Sequence, residues 1–170
     1  MSLMYSSVKQ FSKMVKQLDG WLDKAVAHAK ARSFDPVVLL QSRLAPDQYP
    51  LVRQVQAACD AAKIGVARLA GKEAPKHPDT ETTIDELRAR IKSCAAFLDG
   101  IKEADMAGAE TRKINLPWLE GKYLAGADFL LESAQPNFYF HVAHAYAILR
   151  HNGVDLGKRD YIGSLTTHDA

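Results

Sequence analysis

An apolar stripe through the first thirty residues constrains the fold more than any other feature of the chain. Its members recur at alternating steps of four and three: Met4, Val8, Phe11, Val15, Leu18, Leu22, Ala25 and Ala29. This spacing places them all on one face of an α-helix. Charged residues such as Lys9, Lys16 and Asp23 fall off that face. We therefore predict one amphipathic helix of about seven turns, which needs other apolar faces to pack against.

Three further stripes with helical spacing follow along the chain. They lie within residues 52–69, 84–101 and 138–149. The first begins after Pro50 and ends at Gly71, a typical helix stop. The second opens with Thr83 and Glu86 in capping-box spacing, and the third ends before Gly153. Since no segment alternates like a convincing strand, the pattern predicts an all-α fold, an antiparallel four-helix bundle.

The connections between these helices carry weaker signals. Three prolines between residues 36 and 50 shape the first connection, which is long enough to cross the bundle and holds a short helix predicted over 37–44. Residues 104–121 have little periodicity, apart from an extended arm expected at 111–116. The tail is predicted to be irregular from about residue 154.

Composition limits the partners and the compartment. The 170 residues suit a single domain over 1–170. Lysine and arginine number 22 against 20 acids, a net charge of +2, which argues against nucleic acid or an anionic membrane as the main partner. No apolar run would span a bilayer, and no signal peptide opens the chain. Cys59 and Cys94 both lie on apolar stripes, as core cysteines of a cytoplasmic protein do.

Histidines are the main candidates for chemistry, because phosphate-binding glycine loops, CxxC pairs, HExxH and GxSxG are all absent from the sequence. His141, His144 and His151 lie within eleven residues of the last helix. His141 falls on the apolar face, and the spacing of His141 and His144 would let both bind one divalent metal ion. A metal site usually needs a third protein ligand. The second long helix offers only Gln54, Gln56 and Asp60, and His28 lies near the end of the first. The alternative is that His141 is a hydrogen-bonded core residue.

Two other groups near the last helix have alternative interpretations. Arg150, beside His151, and the segment 158–160 form a charged cluster. This cluster either caps the helix through its carbonyls or binds an anion. Trp118, which follows Pro117, either covers one end of the bundle or anchors the loop in the core, and the anchor is the simpler interpretation.

A longer motif carries a family resemblance. Residues 136–142 (PNFYFHV) and 145–154 (AYAILRHNGV), continued by 155–163 (DLGKRDYIG) and preceded by Ala57-Ala58-Cys59-Asp60, resemble a bacterial domain-of-unknown-function family. That family lies within the DinB/YfiT-like superfamily, whose members are regarded as metalloenzymes. The resemblance covers nearly the whole chain. It implies a four-helix bundle with a crossover connection, often a homodimer.

The superfamily also implies a site. Its better-known branches place three histidines around a divalent metal, such as zinc or nickel, with one from the second helix and two spaced by four from a later helix. This sequence has no histidine in its second long helix, and its late histidines are spaced by three and ten. His141 is the residue that carries over, with His144 and His151 as weaker candidates.

Two functions are therefore expected. One is a structural or small-ligand-binding bundle with an interior histidine site. The other is a divalent-metal-dependent hydrolase or thiol transferase that uses the His141 face.

Overall fold

The computed structural model describes residues 2–169, and four long helices account for most of it. These are α1 (Leu3–Ala31), α3 (Leu51–Ala70), α4 (Ile84–Gly100) and α6 (Gln135–His151), with a short α2 (Val37–Leu40) between the first two. A two-stranded antiparallel hairpin, β1 (Lys113–Asn115) with β2 (Tyr123–Ala125), follows α4. The all-α bundle predicted from the stripes is confirmed.

The sequence signals mark the ends of the long helices well. The hydroxyl of Ser2 accepts a hydrogen bond from the Tyr5 amide at the start of α1. Gly71 ends α3 in the left-handed conformation, which glycine adopts without a steric penalty. Thr83 and Glu86 form the predicted capping box of α4. Each helix then buries its stripe in one shared core.

Side-chain contacts fix the helix directions. Helix α1 runs antiparallel to α4 and parallel to α6, and α3 runs antiparallel to α6. The contacts Ser12–Asp99 and Asp19–Arg88 fix the first relation. Phe11–Phe138 and Trp21–Tyr146 fix the second. Gln54–His141 and Arg68–Phe129 fix the third. Helices α3 and α4 are therefore parallel, as a bundle with one crossover connection requires.

The crossover that the family resemblance implies is the connection between α3 and α4, residues 71–83, rather than the proline-rich 32–50. We call it the crossover segment. It runs back along α3: His77 contacts Lys63, Asp79 contacts Arg53, and Glu81 contacts Gln56. In this way the chain returns to the end of the bundle where α3 began.

The last helix begins earlier than predicted. Helix α5 (Gly126–Phe129) continues through a π-helical turn, Leu130–Ala134, into α6, so Pro136 lies inside a continuous helix. Proline cannot donate the backbone hydrogen bond and crowds the preceding turn. The wider π turn just before it accommodates that loss.

Two other boundaries also differ from prediction. The expected helix over 37–44 is the four-residue α2, and the extended arm expected at 111–116 is β1, paired with β2. The tail, predicted to be irregular from about residue 154, contains α7 (Lys158–Ile162). Polar side chains of α1 hold α7 in place, because Gln17 and Trp21 both donate to the Asp160 carbonyl. None of the helices within residues 2–169 is long and apolar enough to cross a membrane.

Candidate functional site

The main candidate site is a cavity of about 320 Å³ between α3 and the helix of residues 126–151, which we call the α3–α6 cavity. Small residues of α3, Ala57, Ala61 and Gly65, make room for it. A Cβ on Gly65 would lie 3.3 Å from that of Ala134, so the two backbones approach closely there. Apart from Ile64 and Ala134, polar and aromatic side chains complete the lining: Tyr49, Arg53, Asp60, Arg68, Trp118, Phe129, Ser133, Asn137 and His141.

His141 lines this cavity and is held by the buried side chain of Gln54. The Gln54 amide nitrogen lies 3.3 Å from the Tyr49 carbonyl, which it donates to, so its oxygen faces His141 Nδ1 at 2.8 Å. This network assigns the proton to Nδ1, which donates to Gln54, and leaves Nε2 as an acceptor. The Tyr49 ring stacks on the imidazole, with 6.3 Å between the ring centroids.

The charge state of His141 follows from its surroundings. Burial lowers the pKa of His141, and electrostatic interaction with His144 and Arg53 lowers it further. The imidazole is therefore neutral near pH 7. A neutral imidazole with a fixed tautomer offers a ligand one hydrogen-bond acceptor, and a proton acceptor for chemistry.

The other residues predicted for this site are not all brought to it. His144 lies one turn further on, where its Nδ1 donates to the Phe140 carbonyl at 2.7 Å and its Nε2 is 3.4 Å from the Gln48 amide nitrogen. His151 is exposed and forms no hydrogen bond or ion pair with the part of the chain that the structure describes. Arg150 donates to the Val154 carbonyl, which lies beyond the helix end and is not one of the helix's own carbonyls. The structure thus places His141 and His144 in one region and leaves Arg150 and His151 outside it.

The donor set around His141 does not fit a metal with three protein ligands. Among residues 2–169, no three histidine, cysteine or acidic side chains are grouped to hold a metal ion. Gln54, on the helix where the superfamily places a histidine, instead engages the imidazole directly. His28 packs against Phe34, with 5.9 Å between the rings, and does not join the site. The predicted zinc or nickel therefore stays a prediction.

An ionic cluster built on two buried cations adjoins the cavity, and sequence reasoning missed it. We call it the crossover network. The Arg90 side chain is 1% exposed, and its guanidinium contacts Asp60 at 2.7 Å, Asp79 at 2.9 Å and Glu81 at 2.9 Å. Lys63, also buried, pairs with Asp60 at 2.8 Å, and Arg53 pairs with Asp79. Burial alone would raise the pKa values of Asp79 and Glu81, but their bonds to arginine outweigh it and lower both.

A sequence signal for this network does exist. Arg90 follows the core residue Leu87 by three positions and precedes Cys94 by four, so it lies within the apolar stripe of α4. Lys63 is placed in the same way on the stripe of α3. A charged residue in register with an apolar stripe must be paired when it is buried. Of the partners, Asp79 and Glu81 lie in the crossover segment, which has no periodicity that would identify them.

The contacts of His77, in the crossover segment, resemble part of a catalytic triad. The position of its proton on the imidazole does not. Its Nδ1 lies 2.6 Å from Lys63 Nζ, and its Nε2 lies 2.9 Å from Ser93 Oγ. Lysine can only donate, so Nδ1 accepts and Nε2 carries the proton. The imidazole thus donates to Ser93 and cannot take its proton. We interpret this group as a structural tie.

Cys59 and Cys94 are core residues, as predicted. Both are fully buried, and the Cys94 thiol lies 3.3 Å from the Cys59 carbonyl. The contact with Cys94, followed by burial, raises the pKa of Cys59, which suppresses the reactive thiolate. Trp118, in contrast, is 67% exposed. The prediction that it anchors the loop in the core is wrong, and it stands instead at the rim of the α3–α6 cavity.

Comparison with known proteins identifies a family and a similar solved structure. A family model described as Domain of unknown function (DUF1993) matches residues 3–162. Among solved structures, the crystal structure of a DinB family member protein from Shewanella denitrificans is similar, with a TM-score of 0.92 and 55% sequence identity. That match covers 96% of this chain and 93% of the other, so the two share one fold over nearly their whole lengths. No curated protein matches the chain.

Proposed function

Because the chain belongs to the DUF1993 family of DinB-like proteins, whose function is unknown, we propose from its own geometry that it is a small-molecule-binding bundle. The ligand occupies the α3–α6 cavity beside His141. One observation carries this proposal: a cavity of about 320 Å³, within the usual range for ligand pockets, is lined by an imidazole that Gln54 holds in one tautomer.

The lining suits recognition of a small molecule. Apolar walls supply contact area, and a few polar groups supply orientation. His141 contributes an acceptor at Nε2, whereas Asn137 and Ser133 add groups that both donate and accept. The π turn that places Ser133 beside the cavity is a feature frequently found at functional sites.

A blocked cavity tests this function. Ala61→Phe places a ring inside the α3–α6 cavity, whereas Ala27→Phe adds the same ring at an exposed position of α1. We expect ligands from a small-molecule screen to raise the melting temperature of the wild type and of Ala27→Phe, but not of Ala61→Phe. At a hundredfold excess over Kd the stabilisation is about 2.7 kcal/mol, or roughly 5–10 °C for this chain length. Ligands that stabilise Ala61→Phe equally, or a screen without ligands, would refute the proposal.

The second candidate is the divalent-metal-dependent hydrolase or thiol transferase. It is favoured by the position of His144 one turn from His141, because both imidazoles contact the Phe140 ring, at centroid distances of 4.0 Å for His144 and 5.3 Å for His141. Elemental analysis of protein purified without a histidine tag tests it. Stoichiometric zinc or nickel that His141→Ala abolishes would support this candidate, and protein free of metal would eliminate it.

His141→Ala also tests the structural part of the proposal. Removing the imidazole leaves the buried Gln54 oxygen without its donor, and we expect a loss of about 1–3 kcal/mol in urea unfolding. His151→Ala is the control, because that side chain is exposed, and it should change stability by less than about 0.5 kcal/mol. Equal effects of the two substitutions would contradict the structural role of His141.

The homodimer implied by the resemblance stays a prediction, which sedimentation measures.

A further inference from the structure

The charges around the α3–α6 cavity are unevenly compensated. Two of the three charged residues in its lining, Arg53 and Asp60, belong to the crossover network. That network contains three cations, Arg53, Lys63 and Arg90, and three acids, Asp60, Asp79 and Glu81. It is therefore balanced, and neither Arg53 nor Asp60 leaves a net charge at the cavity.

Arg68 is the third charged residue of the lining, and it is different. Its guanidinium lies 6.0 Å from the Phe129 ring centroid, a cation–π contact. It forms no ion pair with any acid in residues 2–169. The donors of Arg68 are thus available to a ligand, and its charge makes the cavity positive.

Arg68 and His141 lie at opposite ends of the cavity. Arg53, beside His141, precedes Arg68 by fifteen residues on α3, a rise of about 22 Å along the helix. The wall between the two ends is largely apolar: Ala57, Ala61 and Ile64 come from α3, and Trp118 stands at the rim. An elongated ligand with an anionic end at Arg68, an apolar body and a donor group towards His141 fits this arrangement.

We propose that the ligand is a small organic anion, a carboxylate or a phosphate, whose charged group is bound by Arg68 and whose apolar body lies against Trp118. This inference rests on the proposed function, since it names the ligand class of the same cavity. A guanidinium binds carboxylate and phosphate oxygens through paired, charge-assisted hydrogen bonds.

Three matched probes test the charge requirement: benzoate, phenyl phosphate and the neutral benzamide. The readout is the Trp118 indole resonance in ¹H–¹⁵N spectra. The buried Trp21 indole, which donates to the Asp160 carbonyl, serves as an internal reference. We expect at least one anion to shift the Trp118 resonance at lower concentration than benzamide does, and the tighter anion distinguishes carboxylate from phosphate. An equal response to all three probes would overturn the anion assignment.

Arg68→Gln removes the charge, and Arg159→Gln on exposed α7 makes the same change away from the cavity. We expect Arg68→Gln to weaken binding of the anion about tenfold or more and to leave the affinity for benzamide unchanged. Arg159→Gln should leave both affinities unchanged. Unchanged anion affinity in Arg68→Gln would overturn the assignment. The wild type alone allows a further test, because added salt should weaken binding of the anion but not of benzamide. Anion binding that does not depend on salt counts against the proposal.

The outcomes also separate this inference from the proposed function. If the wider screen yields neutral ligands that Ala61→Phe blocks and the anions show no preference, the cavity binds small molecules and the role of Arg68 is wrong. If neither the screen nor the probes bind, both proposals are wrong.

Discussion

Arg90→Met should destabilise the protein more than any exposed ion-pair substitution, because Arg90 holds the crossover network together. Its guanidinium contacts three carboxylates, and its side chain is 1% exposed. Methionine fills a similar volume but leaves these acids without that partner. Asp60 and Asp79 are 31% and 38% exposed and keep Lys63 and Arg53 as partners. The expected loss is therefore that of charge-assisted hydrogen bonds, about 1.5–3 kcal/mol, which corresponds to a fall of roughly 3–12 °C in melting temperature for a chain of this length.

Urea unfolding followed by circular dichroism measures this loss, with Lys16→Met as the matched control. Lys16 pairs with Asp99 at 2.7 Å, but the two side chains are 54% and 45% exposed, so the control should lose less than about 1 kcal/mol. If Arg90→Met loses no more than Lys16→Met, the network does not stabilise the crossover segment and the argument fails.

The same variant has a pH signature. In the wild type, the pKa values of Asp79 and Glu81 are lowered on folding. Their contribution is therefore present above the unfolded values near 4 and is lost as the pH falls through the folded values. Without Arg90 this lowering is reduced. The stability difference between wild type and Arg90→Met should shrink from pH 7 towards pH 3, whereas a constant difference would indicate lost packing rather than lost charge pairing.

Two further predictions concern glycine and histidine. A Cβ at Gly20, inside α1, would meet no atom within 4 Å, whereas a Cβ at Gly126 would overlap the Ala109 carbonyl. In the same urea assay, Gly20→Ala should therefore raise the free energy of unfolding by about 0.5–1 kcal/mol, whereas Gly126→Ala should lower it. A change of the same sign for both variants would contradict the packing described. Burial, followed by the charges of Lys63 and Arg90, lowers the pKa of His77 on folding. The contribution of His77 to the free energy of unfolding should hence be constant above pH 6.5 and decrease below it. His77→Asn should therefore lose less stability than the wild type between pH 7.5 and 5.5.

The four long helices were predictable because their determinants are local. The stripe of α1 needs only the spacing of its own residues, and the start of α4 needs only Thr83 and Glu86. The continuous helix through Pro136 was not predictable in the same way. Proline usually marks a helix start, and the π turn that accommodates it is stabilised by packing against α3, where Gly65 meets Ala134.

The site was predictable in part, for a related reason. His141 could be assigned to an interior face because that face is a property of its own helix. Its partner Gln54 lies 87 positions away, and nothing in the spacing of either helix specifies that contact. Arg68 carries no sequence signal as a binding residue, since an arginine in the last turn of a helix is ordinarily explained by the helix dipole. Its availability depends on how other charges are paired in space.

The crossover network therefore acts on both the topology and the site. A parallel arrangement of α3 and α4 requires the crossover segment to run the length of α3, and polar side chains hold it there because it has few apolar residues to bury. Asp60 and Arg53 take part in those ties and also face the α3–α6 cavity. Their charges are neutralised by their partners in the network. Arg68 therefore sets the sign of the electrostatic potential in the cavity. Because the potential at the cavity depends on this balance, an intact network is a condition for the anion preference proposed for Arg68, although Arg90 itself does not line the cavity.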